Sequence, residues 1–146
     1  MNYLQRAIEL SRASFNAGEF PAGVILVTKK GNVYESDPSV AWYHGECMAI
    51  DKAIAAEGAP LTDAMMYASM EPCLMCSAKM YWAGVTNVHF VIPKNKTDTR
   101  YAYEDNVPMQ EHISSFHTPI TSIHDDTLFD EALGVYNDWI RKIQAD

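Results

Sequence analysis

Two short motifs in this chain each place metal-binding side chains at the start of a predicted helix, and both must meet in the fold. His44 and Glu46 form an HxE motif, and Pro72, Cys73 and Cys76 form a PCxxC motif. One histidine and two cysteines leave the fourth corner of a tetrahedral zinc site open, which is typical of catalytic zinc. Water is the usual occupant of that corner. The chain must therefore bring two segments that are distant in sequence to one ion.

Glu46 is the candidate catalytic residue, because its carboxylate can reach a water at the metal without binding the metal itself. A CxxC pair alone is also compatible with a redox pair, a structural zinc knuckle or core packing near a helix start. Only three cysteines are present, so one chain cannot supply a four-cysteine knuckle. We interpret the third, Cys47, as a small buried side chain that points away from His44. The HxE motif favours a catalytic site with one zinc ion (Zn2+) per chain.

The local patterns predict an alternation of helices and strands. Gly18 ends the first predicted helix, and the turn at residues 30–32 joins the first two strands. The predicted helices cover residues 4–15, 44–58 and 73–83, and the predicted strands cover residues 24–28, 33–34, 64–69 and 85–92. A wide apolar stripe over residues 128–140 predicts one more amphipathic helix, which packs on its own core or on a partner. This alternation favours a sheet covered by helices on both faces.

The charge of the chain disfavours some partners. Its 11 Lys and Arg residues face 19 Asp and Glu residues, for a formal net charge of −8. Such a chain repels a phosphate backbone, so nucleic acid is an unlikely partner. No segment approaches the length of apolar sequence that crosses a membrane, and the N-terminus carries Arg6 and Glu9 rather than a signal peptide. Thiolate ligands need a reducing compartment, so we expect a cytoplasmic protein.

The motifs resemble those of the cytidine and deoxycytidylate deaminase superfamily, whose members use a zinc ion and a glutamate of this HxE…PCxxC pattern. The resemblance is carried by Gly18–Val24, Tyr43–Glu46 and Ser69–Cys76, within a match that spans roughly residues 1 to 92. The segment from Pro93 onward matches more weakly. The continuation at Ala78–Val85 is most similar to the branch that contains guanine deaminases, tRNA adenosine deaminases and fungal cytosine deaminases.

The resemblance implies an α/β fold, a three-layer α/β/α sandwich with a central five-stranded mixed sheet, in a single domain over residues 1–146. It also implies hydrolysis of the exocyclic amine of a small-molecule heterocycle, with release of ammonia. Within it, the Gly45 amide would bind a substrate carbonyl and the Ser69 carbonyl would bind the leaving amine. Relatives are dimers or tetramers whose active sites border a subunit interface, so we expect a homodimer.

Several residues are candidates for substrate binding. Trp82 belongs to a Tyr-Trp-Ala run like that of guanine deaminases and is a candidate pocket residue, while core or interface packing is the alternative. Glu104 and Asp105 resemble the acidic segment with which nucleobase-specific members hold their base; a solvated acidic loop is the alternative. Lys94 and Arg100 belong to a loop that is either ordinary surface or a contact for an anionic substrate.

Two positions depart from the family pattern. Gly45 stands where relatives commonly have alanine, which loosens the backbone without removing a functional side chain. The loop before His44 is short and lacks the asparagine that usually binds base or ribose; Asp37 or Ser36 is the candidate to replace it. Glu71 either tunes the surroundings of the metal or, as we favour, caps backbone amides where the helix at Cys73 begins.

We predict a deaminase of free nucleobases or related heterocycles, with guanine-like substrates ahead of cytosine. A nucleoside or nucleotide deaminase and a tRNA adenosine deaminase are alternatives, and the acidic charge argues against the second. A zinc-stabilised binding or regulatory module without turnover is the alternative from another class. The presence of Glu46 argues against that module.

Overall fold

A computed structural model of the chain describes residues 2–146 and contains one central five-stranded sheet. The strands are β1 (Val24–Val27), β2 (Val33–Glu35), β3 (Met65–Met70), β4 (Asn87–Ile92) and β5 (Thr121–His124). Their order across the sheet is β2-β1-β3-β4-β5. β1 runs antiparallel to β2 and β3, whereas β3, β4 and β5 are parallel. The sheet is therefore mixed, and the expected fold class is confirmed.

Helices cover both faces of this sheet. They are α1 (Tyr3–Asn16), α2 (Gly45–Glu57), α3 (Leu74–Ala83), α4 (Thr99–Ala102), α5 (Met109–Ile113) and α6 (Phe129–Ala145). α1 and α6 pack together on one face, and α2 and α3 pack together on the other with α5 beside α3. Among the described residues, no helix has the length and apolar character that a bilayer crossing requires.

Alternating side chains along the strands fill two separate cores. Met66, Ala68 and Val88 belong to the core on the α2–α3 face, whereas Val91 belongs to the core on the α1–α6 face. Successive residues of a strand point to opposite faces, so a sheet buried on both sides has apolar residues at nearly every position. This explains the continuous apolar runs in β1, β3 and β4.

Gly23, directly before β1, allows α1 to lie unusually close to the sheet. A Cβ atom at this position would come within 2.1 Å of the Ala7 carbonyl oxygen and 2.5 Å of the Ser11 nitrogen, both on α1. No side chain fits between these backbones. Gly23 also donates its N–H to Ser69 Oγ and accepts a hydrogen bond from the Ser69 N–H, which ties this segment to the end of β3.

The segment after β4 is the part that local sequence patterns describe least well. It contains a 3₁₀ turn at Lys94–Lys96, the short helices α4 and α5, and the short edge strand β5. Lys94 is not a surface residue: it is only 2% exposed, and its ammonium donates to Val107 O at 2.6 Å and contacts Asp105 at 3.3 Å. Arg100 pairs with Asp98 instead of standing free. Lys94 is thus buried in an internal ion pair, whereas Arg100 remains at the surface, as one of the two expectations had it.

Candidate metal centre and adjoining cavity

Three ligand atoms meet where α2 and α3 begin. His44 is the residue that precedes α2, Cys73 precedes α3, and Cys76 lies in the first turn of α3. His44 Nδ1 is 3.4 Å from Cys73 Sγ and 3.4 Å from Cys76 Sγ, and the three atoms lie within 4.8 Å of one another. Ligands at ordinary zinc distances in a tetrahedron would be about 3.6 Å apart. The donor set and its spacing therefore fit zinc.

The pKa shifts of the three ligands differ: Cys73 favours the thiolate, whereas the raised pKa values of His44 and Cys76 mean that both must release a proton when a metal ion binds. A hydrogen bond from Cys76, followed by one from His44, lowers the pKa of Cys73 to about 5, and the hydrogen bond to Cys73 raises the pKa of His44 to about 9. Both helix N-termini point their N–H groups at the cluster, and the positive end of a helix favours a thiolate. Cys73 is therefore a thiolate near neutral pH, the form in which cysteine binds metal.

Glu46 lies in the first turn of α2 and is almost completely buried. Its Oε2 is 3.2 Å from Cys76 Sγ, close to the cluster. Burial is the main reason that the pKa of Glu46 is raised, and the neighbouring Cys73 contributes in the same direction. A raised pKa makes the carboxylate a stronger base, which suits a group that accepts and returns a proton in general acid–base catalysis.

Cys47 is closer to the cluster than we expected. It is buried, but its Sγ is 4.0 Å from Cys76 Sγ, so it packs against the ligand cysteines rather than pointing away from the site. His44 and Cys47 are three positions apart in sequence, and such residues lie on the same side of a helix. Cys47 is nevertheless not one of the three residues whose ligand atoms converge.

Two connected spaces adjoin the cluster, and His44, Phe20, Ser39, Ala102 and Tyr103 line both. The inner chamber has a volume of about 20 Å³ and is also lined by Ala22, Glu46, Met70, Glu71 and Cys73. The outer cavity has a volume of about 490 Å³ and is also lined by Gly18, Glu19, Val40, Ala41, Tyr101, Glu104 and Trp139. The site thus combines a small chamber beside the ligands with a larger space that is partly aromatic.

Aromatic side chains shape the outer cavity. Phe20 packs edge-on against Trp139 of α6, with ring centroids 4.9 Å apart, and lies nearly parallel to the His44 ring at 6.5 Å. The Tyr103 hydroxyl donates to the Glu71 carbonyl oxygen at 2.7 Å. Neither Trp139 nor Tyr103 was predicted to lie at the site. Trp139 lies on the predicted C-terminal helix, whose apolar stripe indicated only packing on the core of the chain or on a partner.

The substrate-binding candidates separate into two groups. Glu104 lines the outer cavity, whereas Gly45 and Ser69 line neither space but are next in sequence to residues that line the inner chamber. Gly45 begins α2 between His44 and Glu46; Ser69 lies near the end of β3 with its hydroxyl bonded to Gly23; and Glu104 lines the outer cavity while its carboxylate accepts a hydrogen bond from the Leu74 N–H at 2.5 Å. It is therefore Glu104 that caps α3.

Trp82, Asp105 and Asp37 do not line either space, which corrects the predictions made for them. Trp82 is 82% exposed on the outer face of α3. Asp105 turns inward to Lys94 and accepts a hydrogen bond from the Val107 N–H, and Asp37 pairs with Lys52 at the surface. Each side chain has a partner or a solvent-facing position that local sequence does not reveal.

Ser36 and Glu71 are also engaged elsewhere. Ser36 Oγ accepts a hydrogen bond from the Val24 N–H at 2.9 Å, so it does not replace the missing asparagine. Glu71 does bind backbone amides, but those of Lys94 at 2.8 Å and Met109 at 2.5 Å, not those where α3 begins. The buried Glu71 carboxylate therefore anchors the segment after β4 to the metal-binding turn.

Gly45 fills a tight position. A Cβ atom there would lie 3.0 Å from Val24 Cγ2 and 3.1 Å from Ser36 Cβ and Oγ. These contacts are closer than most Cβ contacts, so alanine would require its neighbours to move by a few tenths of an ångström. Close packing accounts for glycine here, and its backbone is an ordinary part of α2.

Comparison with known proteins gives a consistent pattern. Residues 1–92 match the family described as the cytidine and deoxycytidylate deaminase zinc-binding region. A probable cytosine deaminase of Schizosaccharomyces pombe is 33% identical over 94 residues, which cover 60% of this chain and 57% of that protein. A guanine deaminase of Bacillus subtilis is 39% identical over 90 residues, covering 56% of each protein. A tRNA-specific adenosine deaminase of Streptococcus pyogenes is 30% identical over 92 residues, covering 59% of this chain and 58% of that protein.

These alignments span little more than half the length of the curated relatives. A solved structure of guanine deaminase from Bacillus subtilis matches more of the chain. It is 26% identical, with a TM-score of 0.62, and the match covers 97% of this chain and 95% of that one. The fold is thus shared well beyond the residues that align by sequence.

Proposed function

We propose that this chain, which belongs to the cytidine and deoxycytidylate deaminase zinc-binding family, hydrolyses the exocyclic amino group of a free nucleobase or related amino-heterocycle and releases ammonia. One observation carries this proposal. The buried carboxyl of Glu46, with its raised pKa, lies 3.2 Å from a cysteine of the three-ligand cluster and lines the inner chamber. A purely structural zinc site has no need of an acid–base group in that place.

The metal and the protein would divide the chemistry. Zinc held by His44, Cys73 and Cys76 would supply Lewis acidity, which lowers the pKa of a coordinated water from 15.7 to about 7. Glu46 would accept the proton of that water and pass it to a ring nitrogen, which makes the carbon that bears the amino group more electrophilic. The water oxygen would attack that carbon, and Glu46 would carry the second proton of the water to the amino group, so that the C–N bond breaks and ammonia departs. The Gly45 amide and the Ser69 carbonyl are proposed to bind the ring carbonyl and the leaving amine.

Features of the outer cavity support a free base as substrate. Phe20, Tyr103 and Trp139 offer flat apolar surfaces for stacking on a heterocycle. The charged groups that line it are Glu19 and Glu104, and among residues 2–146 no Lys or Arg lines this space. Carboxylates accept hydrogen bonds from the N–H edge of a guanine-like ring but repel phosphate. We therefore place guanine-like bases first, cytosine second, and nucleotides and tRNA behind both.

Ammonia release by purified, zinc-loaded protein tests this function. The panel contains guanine, cytosine, adenine, their nucleosides and nucleotides, and aminotriazines, with Glu46→Gln as the blank. We expect turnover on a base and none with the blank. Turnover on a nucleotide alone would contradict the free-base proposal. No turnover with one zinc bound per chain, together with ligand binding, would favour the binding module.

The oligomeric state belongs to the same proposal. Met75 and Trp82 are exposed on one face of α3, next to Tyr43 and the ion pair of Lys79 with Asp51 on α2. We propose that this apolar face, rimmed by charged groups, pairs two copies of the chain in a cytoplasmic homodimer. Sedimentation at micromolar concentration should give a dimer, and Trp82→Ala should weaken it. A monomeric wild-type protein would contradict the proposal.

A further inference from the structure

We infer that the hydroxyl group of Ser39 contacts the substrate heterocycle and helps to determine which ring the site accepts. This inference rests on the proposed function, since it assigns a specificity residue to the same site. Ser39 lines both the inner chamber and the outer cavity, beside His44 and Phe20. Ser39 is thus one of the five residues that the two spaces share.

The hydroxyl of Ser39 has no partner of its own. The residue is 0% exposed, and among residues 2–146 no group lies within hydrogen-bonding distance of its Oγ. Folded proteins rarely leave a buried hydroxyl without a partner, and functional sites are a common reason for the exceptions. Rotation of the side chain would present this oxygen, which can donate one hydrogen bond and accept others, to a ligand in the spaces that Ser39 lines.

The backbone of Ser39 makes two hydrogen bonds, and a third joins its two partners to each other. The Ser39 N–H donates to Ser14 Oγ at 3.0 Å, and the Ser39 carbonyl accepts from the Phe20 N–H at 3.2 Å. Ser14 Oγ in turn donates to the Phe20 carbonyl oxygen at 2.5 Å. Ser14 lies on α1, so the helix holds both Phe20 and Ser39 in place. A binding group that is held in this way loses little conformational freedom when a ligand arrives.

Ser36 and Asp37, in the same loop before His44, are not available to bind the substrate. Ser36 is bonded to Val24, and Asp37 is paired with Lys52. Glu104 lines another part of the outer cavity and accepts hydrogen bonds. Ser39 and Glu104 together therefore suit a ring that presents an N–H edge to the carboxylate and a second polar atom, a carbonyl oxygen or ring nitrogen, to the hydroxyl.

Steady-state kinetics of Ser39→Ala test the inference. A hydrogen bond to an uncharged group of this kind corresponds to a loss of roughly 3- to 10-fold in kcat/KM, mostly through KM. The loss should be smaller for a matched ligand in which the contacted ring nitrogen is replaced by C–H. Zinc content and Tm should not fall, because the replaced hydroxyl has no protein partner. An unchanged kcat/KM for every substrate that the wild type turns over would overturn the inference.

Two other serines provide controls. Ser11 is equally buried, but its hydroxyl is bonded to Ile8 O within α1, so Ser11→Ala should leave ligand selection unchanged. Ser14→Ala should lower both Tm and kcat/KM, since it removes the group that holds Ser39 and Phe20. If Ser39→Ala lowers Tm as much as Ser14→Ala does, Ser39 is a structural residue and the inference fails.

Binding measurements separate this inference from the proposed function. Calorimetry with zinc-loaded Glu46→Gln measures heterocycle binding without turnover, and Ser39→Ala in that background should weaken it by the same 3- to 10-fold. Binding without ammonia release by the wild type would contradict the proposed function and still decide the role of Ser39. Equal heterocycle affinities of Glu46→Gln and of the double variant with Ser39→Ala would overturn the role of Ser39 alone. Wild-type protein that neither binds nor deaminates any compound of the panel would overturn both.

Discussion

The inner chamber and the outer cavity meet at His44 but are built from different parts of the chain. Most residues that line the inner chamber lie within residues 1–92, the segment that matches the family. The outer cavity takes five of its twelve lining residues from beyond that segment: Tyr101, Ala102, Tyr103, Glu104 and Trp139. The reacting groups therefore all lie within the matched segment, whereas the residues that would choose the ligand lie partly within it, as Ser39 and Phe20 do, and partly beyond it.

This difference explains why family membership is clear while the substrate is not. The ligand set and the acid–base group can remain the same while the segment after β4 and the helix α6 differ. Substitution of a metal ligand or of Glu46 should affect every substrate equally, and substitution of the other residues that line the outer cavity should change the ranking of substrates.

Removal of a ligand should abolish activity altogether. Cys76→Ala should bind far less than one zinc per chain and release no ammonia, because the ligand set falls to two. Cys47→Ala is the matched control, since Cys47 is equally buried 4.0 Å away but is not part of the cluster. Zinc content by atomic emission should stay near one per chain in this control. Loss of zinc from Cys47→Ala would mean that this cysteine is a fourth ligand.

Glu46→Gln should lower kcat by roughly 10²- to 10⁴-fold, the usual contribution of a general acid–base group. The amide keeps the shape of the carboxyl, so zinc content and heterocycle binding should be retained. Glu57→Gln, at the other end of α2, is the control for loss of one carboxylate from the same helix. A Glu46→Gln enzyme with wild-type turnover would remove Glu46 from the mechanism.

Glu104→Gln should raise KM about 10-fold for a substrate with an N–H edge, because hydrogen bonds to charged groups are the stronger ones. The glutamine oxygen can still accept from the Leu74 N–H, so the start of α3 should stay capped. kcat and zinc content should change little. Glu111→Gln, an exposed position on α5, is the control. Equal effects on all substrates would contradict the division between the two spaces.

Acid should weaken the segment that carries the outer cavity. The hydrogen bond from the Val107 N–H, followed by Lys94, lowers the pKa of Asp105 below its usual value of 3.8. A lowered folded-state pKa contributes stability above the unfolded-state pKa, and that stability is lost as pH falls through the folded-state value. The Tm difference between wild type and Asp105→Asn should therefore be present at neutral pH and shrink below about pH 4. A difference that is constant with pH would rule out this charge as its source.

The sequence predicted the site where motif and helix start coincide. His44, Cys73, Cys76 and Glu46 lie in the first turns of two helices or directly before them, so their identity and spacing were enough to predict that they converge. The strands β1 to β4 and the helices α1, α2, α3 and α6 were predicted from their local apolar patterns. β5 was expected only through the family resemblance, because its four residues are mostly exposed.

The substrate candidates failed where their partners lie far away in sequence. Asp105 is directed inward by Lys94, which itself is buried through Val107 and Glu71. Ser39 carries no motif, and its place at the site depends on a hydrogen bond from its N–H to Ser14, 25 positions earlier. Neither arrangement follows from propensity or periodicity, because both depend on how separate segments pack.

Because α1 packs directly against Gly23, this helix influences ligand recognition without contacting the ligand. Ala22, the neighbour of Gly23, lines the inner chamber, and Ser14 of α1 holds the loop that carries Ser39. A methyl group at position 23 would push the helix outward, since it would collide with the Ala7 carbonyl at 2.1 Å. Ser14 would then withdraw with the helix. A substitution at position 23, which contacts no ligand, would thus reduce the selectivity of the site while the metal stays fully bound.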